Sequence, residues 1–344
     1  MAAYKLPLFF SYSSKSILNV VDDKNNYYRA LFRKVILMKD DIIKKSYIQA
    51  FDIGDKNLKD LIIINTKCLI DDNTQRYVYI DNNRLKDELI YYRYYGETPT
   101  YKNILNLLLP VILSNTNIRK SEDVVLDLIK KYVRYLKREA YLFEYILGAV
   151  IYNIIIHKII EDKNIEYEDL LKDIKQRIIG FSIELDKVNT IKFQMERIKI
   201  IQSIDKYIDL KVEDYDDEKI VESMLNILYD IYIEDREVDN DGVLSIKKSI
   251  LSILGSEENL KIDNIDFVLS MSQYIIKLRK YKINKKIYDK NADPRNLINL
   301  EAGDTTLDNI LNQITIVSKY FSDNILHINV KSKSGIYELK FKKS

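Results

Sequence analysis

Between residues 121 and 161 the apolar positions change from a one-sided stripe to an almost unbroken run. Val125, Leu128, Ile129, Tyr132, Leu136 and Phe143 recur at helical spacing, the mark of an amphipathic helix. From residue 140 the wet face disappears through Leu142, Tyr145, Ile146, Leu147, Ala149, Val150, Ile151, Ile154, Ile155 and Ile156. A helix that is apolar nearly all round is buried by others. Residues 140–160 are therefore expected to form the central helix of a helical core. Ser121 suits an N-cap, with Glu122 and Asp123 in a first turn where the helix dipole favours acids.

The same period runs through most of the chain. Helical patterns cover 27–45, 85–95, 101–113 with Pro110 as a break, 167–185, 220–233, 246–254 and 265–280. In 191–208 the periodic apolar residues are Ile191, Met195, Ile198, Ile201, Ile204 and Ile208. No repeat period links these segments. Period two appears near the ends, where it signals strands. Residues 4–12 read as an edge strand or extended arm. Residues 61–70 and 76–80 read as a hairpin across the acidic turn Asp71-Asp72-Asn73. Residues 313–321, 326–331 and 336–341 alternate cleanly, with turns at Asp323-Asn324 and Ser334-Gly335.

This pattern predicts a mainly helical α+β protein. The expected organisation is a mixed region over 1–99 with a hairpin, a helical core over 100–292 and a small antiparallel β module over 293–344. The module is expected to be an SH3-like mini-barrel or a three-stranded sheet. Ile328, Val330, Tyr337, Leu339 and Phe341 form its apolar side.

Charge narrows the function classes. Lys plus Arg total 54 against 52 for Asp plus Glu, a net charge of +2. That balance argues against a nucleic-acid coat or a polybasic membrane binder, while leaving room for local basic faces. The 27 Tyr, absent Trp, 8 Gly and 4 Pro fit an AT-rich codon bias and long regular elements better than a loop-built active site. One cysteine, Cys68, excludes an intrachain disulfide and fits a reducing compartment. No signal-peptide pattern opens the sequence, and the longest apolar runs fall short of a membrane span. The expectation is a cytoplasmic protein without membrane contact.

Candidate chemistry is sparse. Residues 237–245 resemble an EF-hand loop through Asp239, Asp241 and Gly242, but Lys248 stands where the bidentate Glu should be. Asp60, Asn65 and Lys67 faintly resemble a restriction-type nuclease strand, with Asn65 a poor magnesium ligand. The acidic run Asp214 to Glu218 suits a helix start better than a prenyl-diphosphate metal site. His157 and His327 have no partners at metal-ligand spacing. No metal site or cofactor is expected, and catalytic residues are not identifiable.

Two basic patches remain. Lys130, Lys131, Arg134, Lys137 and Arg138 line the wet side of the amphipathic stretch. Lys277, Arg279, Lys280, Tyr281, Lys285, Lys286 and Arg295 form the candidate contact surface, with Tyr274, Tyr281 and Tyr288 interleaved. Basic residues with aromatics can track a phosphate backbone or an acidic protein. The leading expectation is a non-enzymatic protein-binding, assembly or scaffold component, with a protein partner or self-assembly. The alternatives are a nucleic-acid-associated protein using 274–295 and an enzyme whose site is dispersed in sequence.

Overall fold

The computed structural model describes residues 38–342 apart from 97, 213–214, 257–260 and 285–286. The expected arm at 4–12 and most of the helix at 27–45 lie outside these residues. The chain separates into units at 1–41 and 42–344, and the second is described below. The protein is about 58% helical, with a four-stranded antiparallel sheet at its C-terminal end and a two-stranded hairpin nearer the N-terminus.

Residues 42–49 are helical (α1). They lead to α2 (Lys56–Cys68), the hairpin β1 (Leu69–Asp72) and β2 (Tyr77–Ile80), and α3 (Asn82–Tyr94). A 3-10 turn at Leu105–Leu108 then enters α4 (Leu109–Ser114), where Pro110 occupies the opening turn rather than breaking a helix. Next come α5 (Ile118–Tyr135), α6 (Leu142–Glu161), α7 (Tyr167–Gly180), α8 (Lys187–Ile208), α9 (Ile220–Tyr232), α10 (Asp241–Leu254) and α11 (Ile265–Arg279).

The centre is α6. It contacts α4, α5, α7, α8, α9 and α10, which is why its sequence lost its polar face. Residues 139–161 are long and apolar enough to cross a membrane by length and composition, longer than the sequence reading allowed. Here other helices cover them: Tyr145 to Ile156 are all buried. Many of the buried polar groups in this body are paired, as burial favours. Tyr132 Oη donates to Asn65 Oδ1 at 2.8 Å, and Asn65 Nδ2 donates to the Leu107 carbonyl at 2.8 Å.

Two local expectations are corrected. Residues 61–68 are helix, not strand. Leu61, Ile62, Ile63 and Ile64 are all buried, so α2 shows no amphipathic stripe and mimics a buried strand. Its start is fixed by the Asp55 side chain, which accepts from Asn57 N and Leu58 N. Ser121 is not a cap. Asn117 caps α5, accepting from Arg119 N and Lys120 N, and Ser121 lies buried one turn inside, donating to Asn153 Oδ1 at 2.7 Å.

The C-terminal sheet has strand order β3 (Thr305–Asp308), β4 (Asn312–Ser322), β5 (Ile325–Ser332), β6 (Gly335–Lys342). It is a meander with one strand more than the alternation revealed, because β3 is short and mostly polar. Asp323 and Asn324 both have positive φ (47° and 62°), as a two-residue hairpin turn requires. Ile328, Val330, Tyr337, Leu339 and Phe341 face a second apolar cluster completed by Tyr91 and Tyr288. That face lies on α3: the rings of Tyr94 and Phe341 are 4.9 Å apart, those of Tyr95 and Tyr337 4.7 Å. Tyr91 Oη donates to Asp308 Oδ2 at 2.6 Å.

Phe341 is 6% exposed. Truncation to Ala is expected to cost about 3 kcal/mol, through lost transfer energy and the cavity left against Tyr94. Urea unfolding measures this. A loss under ~1 kcal/mol would mean that the ring is not part of the core.

Candidate functional site

The structure scatters the predicted basic segment. Lys277 is exposed in the last turn of α11. Arg279 turns inward and donates to the carbonyls of Leu113 and Asn115 at 2.8 and 2.7 Å, closing the end of α4. Lys280 is exposed at the C-cap. Tyr281 adopts positive φ and its hydroxyl meets Thr116 Oγ1 at 3.1 Å. Lys285 and Lys286 lie outside the described residues. Arg295 is exposed and pairs with Asp293. The interleaved tyrosines are structural. Tyr274 Oη donates to the Leu69 carbonyl at 2.7 Å, and Tyr288 Oη donates to Asp87 at 3.0 Å. In the other patch, Arg138 binds the carbonyls of Pro99, Tyr101 and Lys102, and Lys131 reaches Asn82 and Asp127.

The motif-like segments also have structural duties. The stretch resembling an EF-hand loop is half helix. Asn240 caps α10 through Gly242 N and Val243 N, and Lys248 binds Asp52 at 2.6 Å. Asp60 and Lys67 sit on a helix rather than on the strand a nuclease site requires, and Lys67 pairs with Glu88 at 2.9 Å. The acidic run precedes α9 rather than starting it. The α9 terminus is instead met by Glu144 of α6, which accepts from Ile220 N at 2.7 Å. His157 is largely buried in α6, and desolvation with the nearby Arg279 charge holds its pKa down at about 4. His327 Nδ1 lies 2.9 Å from Glu338, and its ring stacks on Tyr320. That hydrogen bond holds the Glu338 carboxyl below its usual range. Cys68 is fully buried. Among the described residues, no group of three or more His, Cys, Asp or Glu could hold a metal ion.

The most unusual surface is on α8. This helix is capped by Asp186, which accepts from Asn189 N. It faces the body through Phe193, Ile200, Ile204 and Tyr207, packing on α6, α7 and α9. On the opposite side Val188, Ile191, Met195 and Ile198 are 63, 63, 58 and 54% exposed. Their alternating three- and four-residue spacing is that of a and d positions in a heptad repeat. Along one flank, at the e positions, stand Lys192, Lys199 and Lys206, all exposed. Lys199 reaches Glu196 at 3.3 Å. At the end of the helix, Lys206, Lys211, Lys219 and Glu222 line a cavity of about 240 Å³, where Lys211 pairs with Asp209 at 2.8 Å and Lys219 with Glu222 at 2.9 Å.

The helical period read over 191–208 is borne out by α8, but the period alone does not say which of its apolar residues are buried. Ile191, Met195 and Ile198 are in phase with one another and exposed, whereas Ile204 of the same series is buried on the other side. The overlooked signal is that the segment carries two apolar stripes, and the second, with Phe193 and Ile200, is the one that meets α6.

No family model, no curated protein and no solved structure matches this chain.

Proposed function

We propose that this chain is a non-enzymatic protein-binding or assembly component that docks an amphipathic helix with acidic flanks on the outer face of α8. The observation carrying this reading is the exposed a/d seam Val188, Ile191, Met195 and Ile198. A contiguous apolar patch of this kind marks an interaction surface. Charge selects the occupant. In a parallel pair of α8 helices Lys192 would face Lys187 of the other copy. In an antiparallel pair the e-position lysines would face one another. Both arrangements set like charges across the seam, whereas acidic flanks would pair with them.

The test uses a three-heptad peptide with Leu at a and d and Glu at e and g, and its Lys-flanked counterpart. The chain holds 5 Met, so methyl-labelled methionine NMR reports on the seam through Met195, with buried Met224 as internal control. The acidic peptide is expected to shift Met195 saturably. The combined change Lys192→Glu, Lys199→Glu and Lys206→Glu is expected to weaken it roughly tenfold, three exposed ion pairs at about 0.5 kcal/mol each. Equal binding of both peptides, binding of neither, or concentration-dependent broadening of Met195 by self-association would overturn the proposal.

A further inference from the structure

A cleft of about 240 Å³ opens where α2 and the start of α11 meet the β5–β6 turn, and Asp60 lines it. Its apolar walls are Phe51, Ile63, Phe267, Val268 and Tyr337. Asn264 Nδ2 donates to the Lys333 carbonyl at 3.1 Å and Lys56 Nζ to the Ile336 carbonyl at 3.0 Å, which fixes the turn against both helices. Asp60 is 6% exposed. Among the described residues its carboxyl accepts no hydrogen bond and forms no ion pair. What acts on it is desolvation, with the through-space charges of Lys56, Lys67, Asp55 and Lys59. Both carboxylate oxygens retain some surface. A buried carboxyl without a donor is rare in native proteins and calls for an explanation. Charge is not what it lacks. Lys56 lies over the Tyr337 ring, 5.6 Å from its centre, and Lys67 joins Arg84 on Glu88. Lys59 is half-buried at the next position of the helix. These lysines face Asp60 without bonding to it. The phenols that face it, Tyr92 and Tyr95 from α3 and Tyr337 from β6, are kept neutral by burial, which raises their pKa values. With Asp263 at the rim, the lining holds two acids and two lysines, so an entering cation meets no net repulsion. The missing element is a hydrogen-bond donor.

We infer that this cleft binds a small planar cation of the amidinium or guanidinium type carried on a flat apolar group. Two parallel N–H donors would give Asp60 the bonds it lacks, and bidentate charged pairs of that kind are among the strongest a carboxylate makes. The flat group would lie among Phe51, Phe267 and Tyr337, as in pockets that are mostly apolar with a few placed polar groups. Pairing would also offset the desolvation of the carboxylate. This site is independent of the α8 seam, on different elements and with a different ligand chemistry.

Benzamidine, cationic throughout the pH range used, is the probe in calorimetric titrations of the full-length chain. Benzamide and benzoate are the neutral and anionic comparisons on the same ring. Benzamidine is expected to bind saturably and at least several-fold more tightly than benzamide, and benzoate not to bind. Asp60→Asn keeps the shape of the side chain and is expected to weaken benzamidine roughly tenfold or more. Lys59→Gln removes a cation from the lining and is expected to tighten it several-fold. In the empty site Asp60 holds a proton below about pH 6, which the ligand must displace. Affinity is therefore expected to fall ~tenfold per pH unit below that point in the parent, and to stay level in Asp60→Asn. If Asp60→Asn fails to fold, Lys59→Gln and the pH profile of the parent decide. No saturation into the millimolar range would overturn the assignment. So would binding indifferent to Asp60→Asn, benzamide or benzoate binding as well as benzamidine, weaker binding in Lys59→Gln, or a parent affinity that does not change with pH.

Discussion

Gly242→Ala is expected to destabilise the helical body by on the order of 3 kcal/mol or more, the upper range for overpacking. A Cβ at this position would sit 2.0 Å from the backbone oxygen of Asn103. That oxygen cannot easily retreat. The Asn103 side chain accepts from Leu105 N at 3.0 Å and donates to Ser223 Oγ at 2.6 Å, pinning its loop between the 3-10 turn and α9. On the other side, Asn240 caps α10 through Gly242 N itself, and Asp241 accepts from Asp55 N. Both backbones are thus held from behind, and the clash has no flexible side chain to absorb it. Gly180, at the end of α7 with nothing within 4 Å of its notional Cβ, is the control. Gly180→Ala is expected to be neutral within about 0.5 kcal/mol or slightly stabilising. Urea unfolding followed by far-UV circular dichroism compares the two. A Gly242→Ala protein within ~1 kcal/mol of the parent would refute the packing described for α10.

The second large effect concerns pH. Asp60 lies on α2 at 6% exposure, beside the junction of α2 with the β5–β6 turn. Desolvation raises its pKa to about 6, against the opposing influence of Lys56 and Lys67. In the unfolded chain the group titrates near its ordinary value of 3.8. Between those two values the folded protein binds more protons than the unfolded one, so Asp60 makes stability fall as pH rises from about 4 to about 6. His157 works in the opposite direction. Its pKa is lowered from 6.5 to about 4, so the stability it contributes above 6.5 is lost as pH falls through that window. In the parent protein the two slopes largely offset each other.

Asp60→Asn removes one of them. The variant is expected to be more stable than the parent by about 2–3 kcal/mol above pH ~6.5, with the gain vanishing near pH ~4. Its own stability is then expected to climb between those values, driven by His157. Urea titrations at several pH values would show this divergence. A variant that loses stability at neutral pH, or whose gain does not depend on pH, would show that Asp60 is ionised and usefully paired in the folded chain.

Much of this architecture is set by short-range sequence. The run from Leu142 to Ile156 specifies a helix surrounded by others, because no face of it can remain in water. The alternation in β5 and β6 specifies two strands and one apolar side, and Asp323-Asn324 supplies the positive φ values their turn needs. Helix starts such as Asp55 and Asn240 carry their caps in the sequence.

What tertiary structure decided are the questions of which partner a residue meets. Leu61 to Ile64 form a helix because α3, α4 and α11 also approach α2, and full burial erases the periodicity that would have distinguished helix from strand. Gly242 suggests a metal loop by its neighbours, yet its lack of a side chain serves the passing backbone of Asn103. Tyr288 lies in a basic segment, and its hydroxyl is fixed by Asp87, 201 residues away. The two apolar stripes of α8 are equivalent as pattern. Packing on α6, α7 and α9 buried one and left Val188, Ile191, Met195 and Ile198 outside. The pairing of Lys67 and Arg84 around a single Glu88 likewise arises only when α2 and α3 fold together. Periodicity records how apolar a face is, whereas the choice of neighbour depends on which faces reach each other in space.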